Sequence, residues 1–333
     1  MDYRQLGRSG VRVSPLCLGT MNFAAPTDEG TSLRMIHRAL EAGINFVDTA
    51  DLYAGGESER IVGRALADRR DQVVLATKGT IATGPGPNDE GGSRKHLRQA
   101  FEASLRRLGT DYVDLYYLHR PDPLCPIEES LAFLDQLVQQ GRVLYLGVSN
   151  YWAWQIAEMM GLAALHDWAP LTVIQPVYSI VNRDCEVELL PAARHFGLGV
   201  VSYSPIARGV LTAKYREGAP PPPDSRAARG NPRLQQTEYK PENFAVAQAL
   251  APLADELGCT LSQLAIAWVM ANPNVAAPIL GPRTPEQLED NLAALAVSVT
   301  PEVSARIDDL VPPGTHPSRG YHDPLYPITG RQA

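Results

Sequence analysis

The sequence predicts an α/β protein built as a (β/α)8 barrel, with an N-terminal β-hairpin and a long loop after strand 7. Three observations predict this class. Short apolar runs rich in Val, Ile and Leu alternate with amphipathic stretches along almost all of the 333 residues, the pattern of repeated βα units. Eight of the runs are legible as barrel strands, the number that closes a parallel barrel. No shift in composition separates one part of the chain from another, so residues 1–333 are expected to form a single barrel domain.

The elements follow in order. Tyr3–Leu6 and Val11–Val13 flank Gly7-Arg8-Ser9-Gly10, which reads as a hairpin. The first barrel strand is Leu16–Leu18, ending at Gly19-Thr20, and Thr31–Ala42 is the helix after it. Ile44–Val47 is the second strand. It runs into Asp48, and Gly55-Gly56 break the chain before a helix over Glu57–Leu66. Val73–Thr77 ends at Lys78. Ser93 caps the next helix, in which Leu97, Phe101, Leu105 and Leu108 share one face. Tyr112–Leu118 ends at His119, and Ile127–Val138 repeats the helical stripe through Leu131 and Leu134. Val143–Val148 ends at Ser149-Asn150 before a helix at Trp152–Met160, and Thr172–Ile174 ends at Gln175 before a helix at Val187–His195. Gly199–Ser202 ends at Tyr203-Ser204-Pro205.

Ala207–Lys240 then breaks the rhythm. It carries four consecutive prolines, Pro220 to Pro223, with Arg208, Lys214, Arg216, Arg226, Arg229 and Arg233. A loop of this length is either a solvated excursion or a basic lid over an anionic ligand. Helices at Phe244–Leu257 and Ser262–Ala271 restore the pattern. The last strand is Val275–Leu280, ending at Gly281, and the last barrel helix is Pro285–Leu295, with a Pro/Gly-rich tail from Pro312. A doubly wound sheet is the alternative architecture. Against it, the nearest approach to G-x-G-x-x-G, Gly197-Leu198-Gly199-Val200-Val201-Ser202, ends in Ser and follows a helix instead of a strand.

A formal net charge of −7 and 44% hydrophobic residues argue for a small-molecule partner over nucleic acid or an anionic membrane. The four cysteines are scattered, without a C-x-x-C pair, which fits a reducing compartment. The N-terminal residues MDYRQLGRSG are charged from residue 2 and lack the apolar core of a signal peptide. No apolar run approaches the roughly 20 residues of a membrane span. The expected location is cytoplasmic, and nothing in the sequence sets the oligomeric state.

In a (β/α)8 barrel the C-terminal ends of the strands converge on one mouth. Here those ends carry Asp48, Lys78, His119, Asn150, Gln175 and Tyr203, with Tyr53 in the loop after its strand. Charged groups on consecutive strand exits must lose water, which a merely structural rim avoids. Tyr is a weak acid with an ordinary pKa of about 10. A lysine ammonium beside it favours the phenolate and lowers that value. A carboxylate holds the lysine charged, and a histidine can hydrogen-bond a substrate carbonyl. Together they can give a proton to an oxygen as negative charge develops on it. A nucleophile for the carbon is missing, and a bound reduced nicotinamide could supply it.

Several segments, in order, resemble the aldo-keto reductase superfamily over almost the whole chain: LCLGT (16–20), NFVDTADLY (45–53), GESERIVGRAL (56–66), ATK (76–78), DYVDLYYLHRPDP (111–123), GVSN (147–150), YSPIARGVL (203–211) and GPRTPEQLEDN (281–291). The chain is similar above all to the bacterial branch that resembles potassium-channel β subunits and aryl-alcohol dehydrogenases. The resemblance implies an NADPH (NADP+) cofactor, an aldehyde or ketone substrate, and a catalytic quartet. Tyr53 would be the general acid, Lys78 its pKa-lowering partner, Asp48 the orienter of Lys78, and His119 the carbonyl-orienting group. It implies a cofactor surface of Gly19, Thr20 and Asp48, with Ser149, Asn150 and Gln175 at the carboxamide and Tyr203 stacked on the nicotinamide. Ser204, Pro205, Ile206, Gly209 and Leu211 would follow on the pyrophosphate side, Gly281, Arg283, Gln287, Asp290 and Asn291 at the adenosine end, and Arg226 from the long loop. Met21, Phe23, Arg120 and Tyr151 would line the substrate pocket beside Tyr53 and His119, with Arg120 hinting at a polar or anionic substrate.

Three departures stand out. Ala54 follows the tyrosine where many members have Gly, Arg120 follows the histidine where many have Trp, and Pro282 stands where Ser or Ala is usual. Two other readings stay open: a nicotinamide-binding sensor or channel-β-like interaction subunit, and a lyase working through a Lys78 Schiff base. In the β subunits the histidine position is typically Asn, so His119 favours an enzyme.

Overall fold

The structure, a computed structural model, describes residues 1–318 and 323–326. The chain divides into two compact units. The first comprises Met1–Pro176, Leu189–Tyr203 and Pro273–Glu289, and the second comprises Val177–Glu188, Ser204–Asn272 and Asp290–Ala333.

The first unit opens with an antiparallel hairpin, β1 (Arg4–Gln5) and β2 (Arg12–Val13). Eight parallel strands follow: β3 (Cys17–Gly19), β4 (Phe46–Asp48), β5 (Val74–Gly79), β6 (Val113–Leu118), β7 (Val143–Ser149), β8 (Leu171–Gln175), β9 (Gly199–Val200) and β10 (Ile279–Leu280). Their order is β10-β3-β4-β5-β6-β7-β8-β9. Ala276 N and Ile279 N donate to Val200 O and Ser202 O, both at 2.8 Å, so the last strand also meets the seventh and the barrel closes. The (β/α)8 class and the hairpin are as expected. The predicted strand Val275–Leu280 shortens to its last two residues, because Pro278 has no N–H to give to a ladder.

The helices of this unit are α1 (Glu29–Glu41), α2 (Glu57–Leu66), α3 (Arg94–Leu108), α4 (Ile127–Gln139), α5 (Ala153–His166) and α6 (Leu189–Phe196). Their caps explain their starts. Asp28 accepts from Thr31 N at 2.9 Å ahead of α1, and Ser93 Oγ accepts from His96 N at 3.3 Å ahead of α3. Helix α5 continues past the expected Met160, through Gly161, and stops where Asp167 turns left-handed (φ 56°).

Leu6 and Val13 of the hairpin are fully buried and pack with Cys17, Phe46, Val74, Leu115, Tyr117 and Val173, and so cover the barrel at its strand starts. Every residue of β5 is buried, as expected for a strand packed on both faces.

The second unit contains α7 (Pro232–Gln236), α8 (Pro241–Glu256) and α9 (Leu261–Ala271), and α10 (Pro285–Ala293) runs into it from the first. The Ala207–Lys240 stretch is packed here: the rings of Tyr215, Tyr239 and Phe244 lie with centroids 4.8–5.9 Å apart. Two of its arginines are ion-paired, Arg208 with Glu238 at 2.8 Å and Arg233 with Asp323. Its ends are packed, while residues 216–220 are exposed. Helix α11 (Pro301–Leu310) was not among the expected elements. Its signal is the Thr300-Pro301-Glu302 start, a cap followed by proline in the first turn.

Candidate active site

Parallel pairing sets the exits of β4 and β5 side by side, with Asp48 opposite Ala76 and Lys78 two residues beyond. Both charged side chains are buried, Lys78 at 0% and Asp48 at 2% exposure. Such burial demands complete pairing, and the pairing is present. Lys78 Nζ donates to Asp48 Oδ1, to Thr49 O at 2.9 Å and to Tyr53 Oη at 3.4 Å. Gln175 Nε2 donates to Asp48 Oδ2 at 2.9 Å.

Tyr53 opens a tight turn through Ala54 (φ 49°), Gly55 (φ 65°) and Gly56 (φ 93°). Ala54 is therefore a non-glycine residue in a left-handed position, which costs roughly 1–2 kcal/mol. Thr80 (φ 104°) and Asn150 (φ 64°), just past β5 and at the end of β7, are also left-handed. Strained backbone thus gathers at the strand exits, as it does at working sites.

His119 lies edge-on to Tyr53, with ring centroids 6.1 Å apart. Its Nδ1 is buried without a hydrogen-bond partner. Burial, together with the charges of Lys78 and Arg120, holds its pKa well below the ordinary value, so the imidazole is neutral at physiological pH. Burial pulls Lys78 down, but Asp48 and Tyr53 outweigh it and the ammonium is stabilised. Tyr53 corrects the sequence expectation. Lys78 does pull its pKa down, but burial pushes harder and Asp48 adds to it, so the net direction is up. Without a ligand Tyr53 is a protonated phenol with an ammonium beside its oxygen, which is the state a proton donor needs.

Ser149, Asn150, Gln175 and Tyr203 form one chain. Ser149 Oγ donates to Gln175 O at 2.9 Å. Asn150 Nδ2 donates to His119 O at 2.9 Å and to Ser149 Oγ at 3.0 Å. Tyr203 Oη donates to Asn150 Oδ1 at 2.8 Å, which fixes a half-buried ring in one plane. A pinned aromatic beside Ser, Asn and Gln fits an aromatic amide ring such as nicotinamide. Thr20 Oγ1 accepts from Ser58 Oγ at 2.8 Å and donates to Asp48 O at 3.1 Å. Gly19 has a structural reason of its own: a Cβ there would lie 2.4 Å from Ile279 Cγ2.

Arg283 stands at the start of α10. Its N–H donates to Gln287 Oε1 at 2.9 Å and its carbonyl accepts from Thr27 Oγ1 at 2.9 Å, so the backbone is pinned on both sides. Gly281 O accepts from Asn22 Nδ2 at 2.9 Å. In the second unit Asp290 meets the start of α9, accepting from Thr260 Oγ1 at 2.9 Å, Ser262 Oγ at 2.5 Å and Gln263 Nε2 at 2.7 Å. Asn291 is buried nearby in sequence. Ser204 (φ 59°) and Gly209 (φ 95°) are left-handed, and Pro205, Gly209 and Leu211 are buried. Ile206 and Arg226 are half-buried.

The substrate residues fare unevenly. Met21 is 44% exposed, but Phe23 is fully buried and lines no open surface, a correction that follows from its packing in the core. Tyr151 is also buried. Arg120 Nη2 donates to Glu90 Oε2 at 3.1 Å, so its charge is already answered by a carboxylate. Two buried acids near the quartet carried no role in the sequence reading. Glu59 accepts from Thr77 Oγ1 at 2.5 Å and Arg107 Nε at 2.6 Å. Asp51 lies between Asp48 and Tyr53 in sequence, and a second carboxylate three residues after Asp48 was its only signal.

Comparison with known proteins adds to this geometry. A model of the aldo/keto reductase family matches residues 15–312. YrpG of Bacillus subtilis (strain 168), named an uncharacterized oxidoreductase, is 39% identical over 333 residues, 96% of this chain and 99% of its own. A probable voltage-gated potassium channel subunit beta of Arabidopsis thaliana is 40% identical over 319 residues, 93% of this chain and 97% of its own. A putative subunit of the same name in Schizosaccharomyces pombe is 36% identical, with 93% of each chain covered.

Proposed function

The chain belongs to the aldo/keto reductase family of oxidoreductases, and from that premise we propose that it is an NADPH-dependent carbonyl reductase acting on an aldehyde or ketone. One observation carries the reading: Lys78 Nζ, held by Asp48, also reaches Tyr53 Oη at 3.4 Å. When bound, reduced nicotinamide supplies the hydride to the carbonyl carbon. Tyr53 gives its phenolic proton to the carbonyl oxygen as charge builds there. Lys78 stabilises the phenolate left behind, and Asp48 and Gln175 keep the ammonium in place. His119, neutral, hydrogen-bonds the carbonyl without competing as an acid. Ser149, Asn150, Gln175 and Tyr203 would hold the nicotinamide, and Arg283 the 2′-phosphate. A Schiff base on Lys78 is disfavoured, because imine formation needs a neutral amine and Lys78 is held as the ammonium.

All four cysteines are free, which supports a reducing, cytoplasmic setting. No helix among the described residues is long and apolar enough to cross a membrane. Loss of NADPH absorbance on adding aldehydes, keto sugars or quinones tests the proposal, and no turnover with any of them would overturn it. The likeness to proteins named channel β subunits favours a second reading, a nicotinamide-binding interaction subunit. It predicts tight NADPH binding with no turnover.

A further inference from the structure

Asp51 is buried at 2% exposure, and neither of its carboxyl oxygens meets a side-chain donor among the described residues. The other buried acids beside it are answered: Asp48 by Lys78 and Gln175, Glu59 by Thr77 and Arg107. Asp51 is nevertheless tied to the quartet, because its backbone N–H donates to Lys78 O at 3.2 Å and its loop leads directly to Tyr53. The groups that face it are Glu59 on α2, Lys78 on β5, Tyr116 on β6, Arg107 on α3, and Tyr53 in its own loop. The Tyr116 hydroxyl is likewise buried without a partner, lying 2.3 Å from where a Gly79 side chain would begin. A carboxylate in such a niche takes up a proton sooner than stay charged.

We propose that Asp51, buried in the loop that leads from β4 to Tyr53 and tied by its backbone to Lys78, is a positioning residue for the proposed carbonyl reduction, and that its negative charge restrains proton release from Tyr53. This rests on Tyr53 being the proton donor. Burial first, and then the Glu59 carboxylate, push the Asp51 pKa up to about 7, against the pull of Arg107, the Leu52 N–H and Lys78. The charge of Asp51 is in turn one of the influences that raise Tyr53. The switch therefore falls within the working range of pH. Below it Lys78 acts on Tyr53 unopposed by Asp51, and above it a second negative charge disfavours the phenolate.

The test is kcat against pH for the full chain reducing benzaldehyde with NADPH. Wild type is expected to lose roughly threefold or more as pH rises through about 7, since the rate follows the acidity of the donor. Asp51→Asn, fixed in the neutral form, is expected to show no such step, and a variant profile that keeps it overturns the proposal. NMR of isotope-labelled tyrosine, with Tyr53 assigned through Tyr53→Phe, reads the same coupling without turnover. The Tyr53 midpoint should lie higher in wild type than in Asp51→Asn, and equal midpoints overturn the proposal. If the midpoints differ but no carbonyl compound is reduced, the reductase reading fails and the coupling stands. Infrared spectroscopy of wild type alone covers the case of a variant that does not fold. A protonated-carboxyl band should persist above about pH 6, and its absence there overturns the proposal.

Discussion

Replacing Lys78 with Met keeps most of the length of the side chain and removes its charge. In the wild type Nζ serves Asp48 Oδ1, Thr49 O and Tyr53 Oη, with Lys78 at 0% and Asp48 at 2% exposure. The variant leaves Asp48 buried, with Gln175 Nε2 at 2.9 Å as its remaining side-chain donor. Removing one partner of a buried pair typically costs about 3–5 kcal/mol, because the other charge is stranded. Lys78→Met should therefore lose that much stability at neutral pH. The double variant Lys78→Met/Asp48→Asn removes both charges and should lose at least about 2 kcal/mol less than the single one. Because the Lys78 pKa is raised, its stabilisation is fully present below the ordinary lysine value and is lost only as pH climbs through the higher folded value. Urea unfolding near neutrality therefore reads the whole effect. A loss under about 1 kcal/mol in the single variant, or equal losses in single and double variants, would refute the reasoning. The same change removes the main charge that counters burial of Tyr53, so any remaining activity should show its basic limb at higher pH. An unmoved limb would contradict the role of Lys78.

Tyr53→Phe should lower kcat by on the order of 100-fold or more and leave NADPH affinity nearly unchanged, which single-turnover kinetics and fluorescence titration measure. NADPH should bind at least roughly tenfold more tightly than NADH, about 1.4 kcal/mol. Arg283→Ala should erase most of that preference, so equal losses of affinity for the two cofactors would show that Arg283 does not read the phosphate. Asp51 has its folded pKa raised from 3.8 to about 7, so its ionisation destabilises the fold increasingly as pH rises between those values. That span corresponds to roughly 4 kcal/mol. Asp51→Asn should accordingly be more stable than wild type by up to that amount above about pH 8, and the difference should vanish near about pH 4. A difference in denaturation midpoint that is constant with pH would sink this assignment.

The order of strands and helices was legible because it rests on local information. Apolar periodicity, the cap at Ser93 and the glycine turn after Tyr53 are all written within a few residues. Barrel geometry then requires strand exits to meet, so Asp48, Lys78 and His119 could be placed at one mouth from the sequence alone. The predicted strand Val275–Leu280 ends up as only Ile279–Leu280, because Pro278 has no N–H for a ladder, and α11 lies outside the predicted elements although Thr300-Pro301 announces it.

What the sequence could not determine depends on groups far apart in the chain and on how much water remains between them. Gln175 meets the Asp48 carboxylate across 127 residues. Asp290 is taken up by the start of α9, and Phe23 disappears into the core. The net direction of the Tyr53 pKa follows from burial winning over a lysine whose presence was already evident. Asp51 has the same chemistry as Asp48 three residues earlier, yet one is paired and the other is not. A residue type sets what a side chain can ionise or donate, whereas desolvation and the distance to the next charge set what it does, and only the packed fold supplies those.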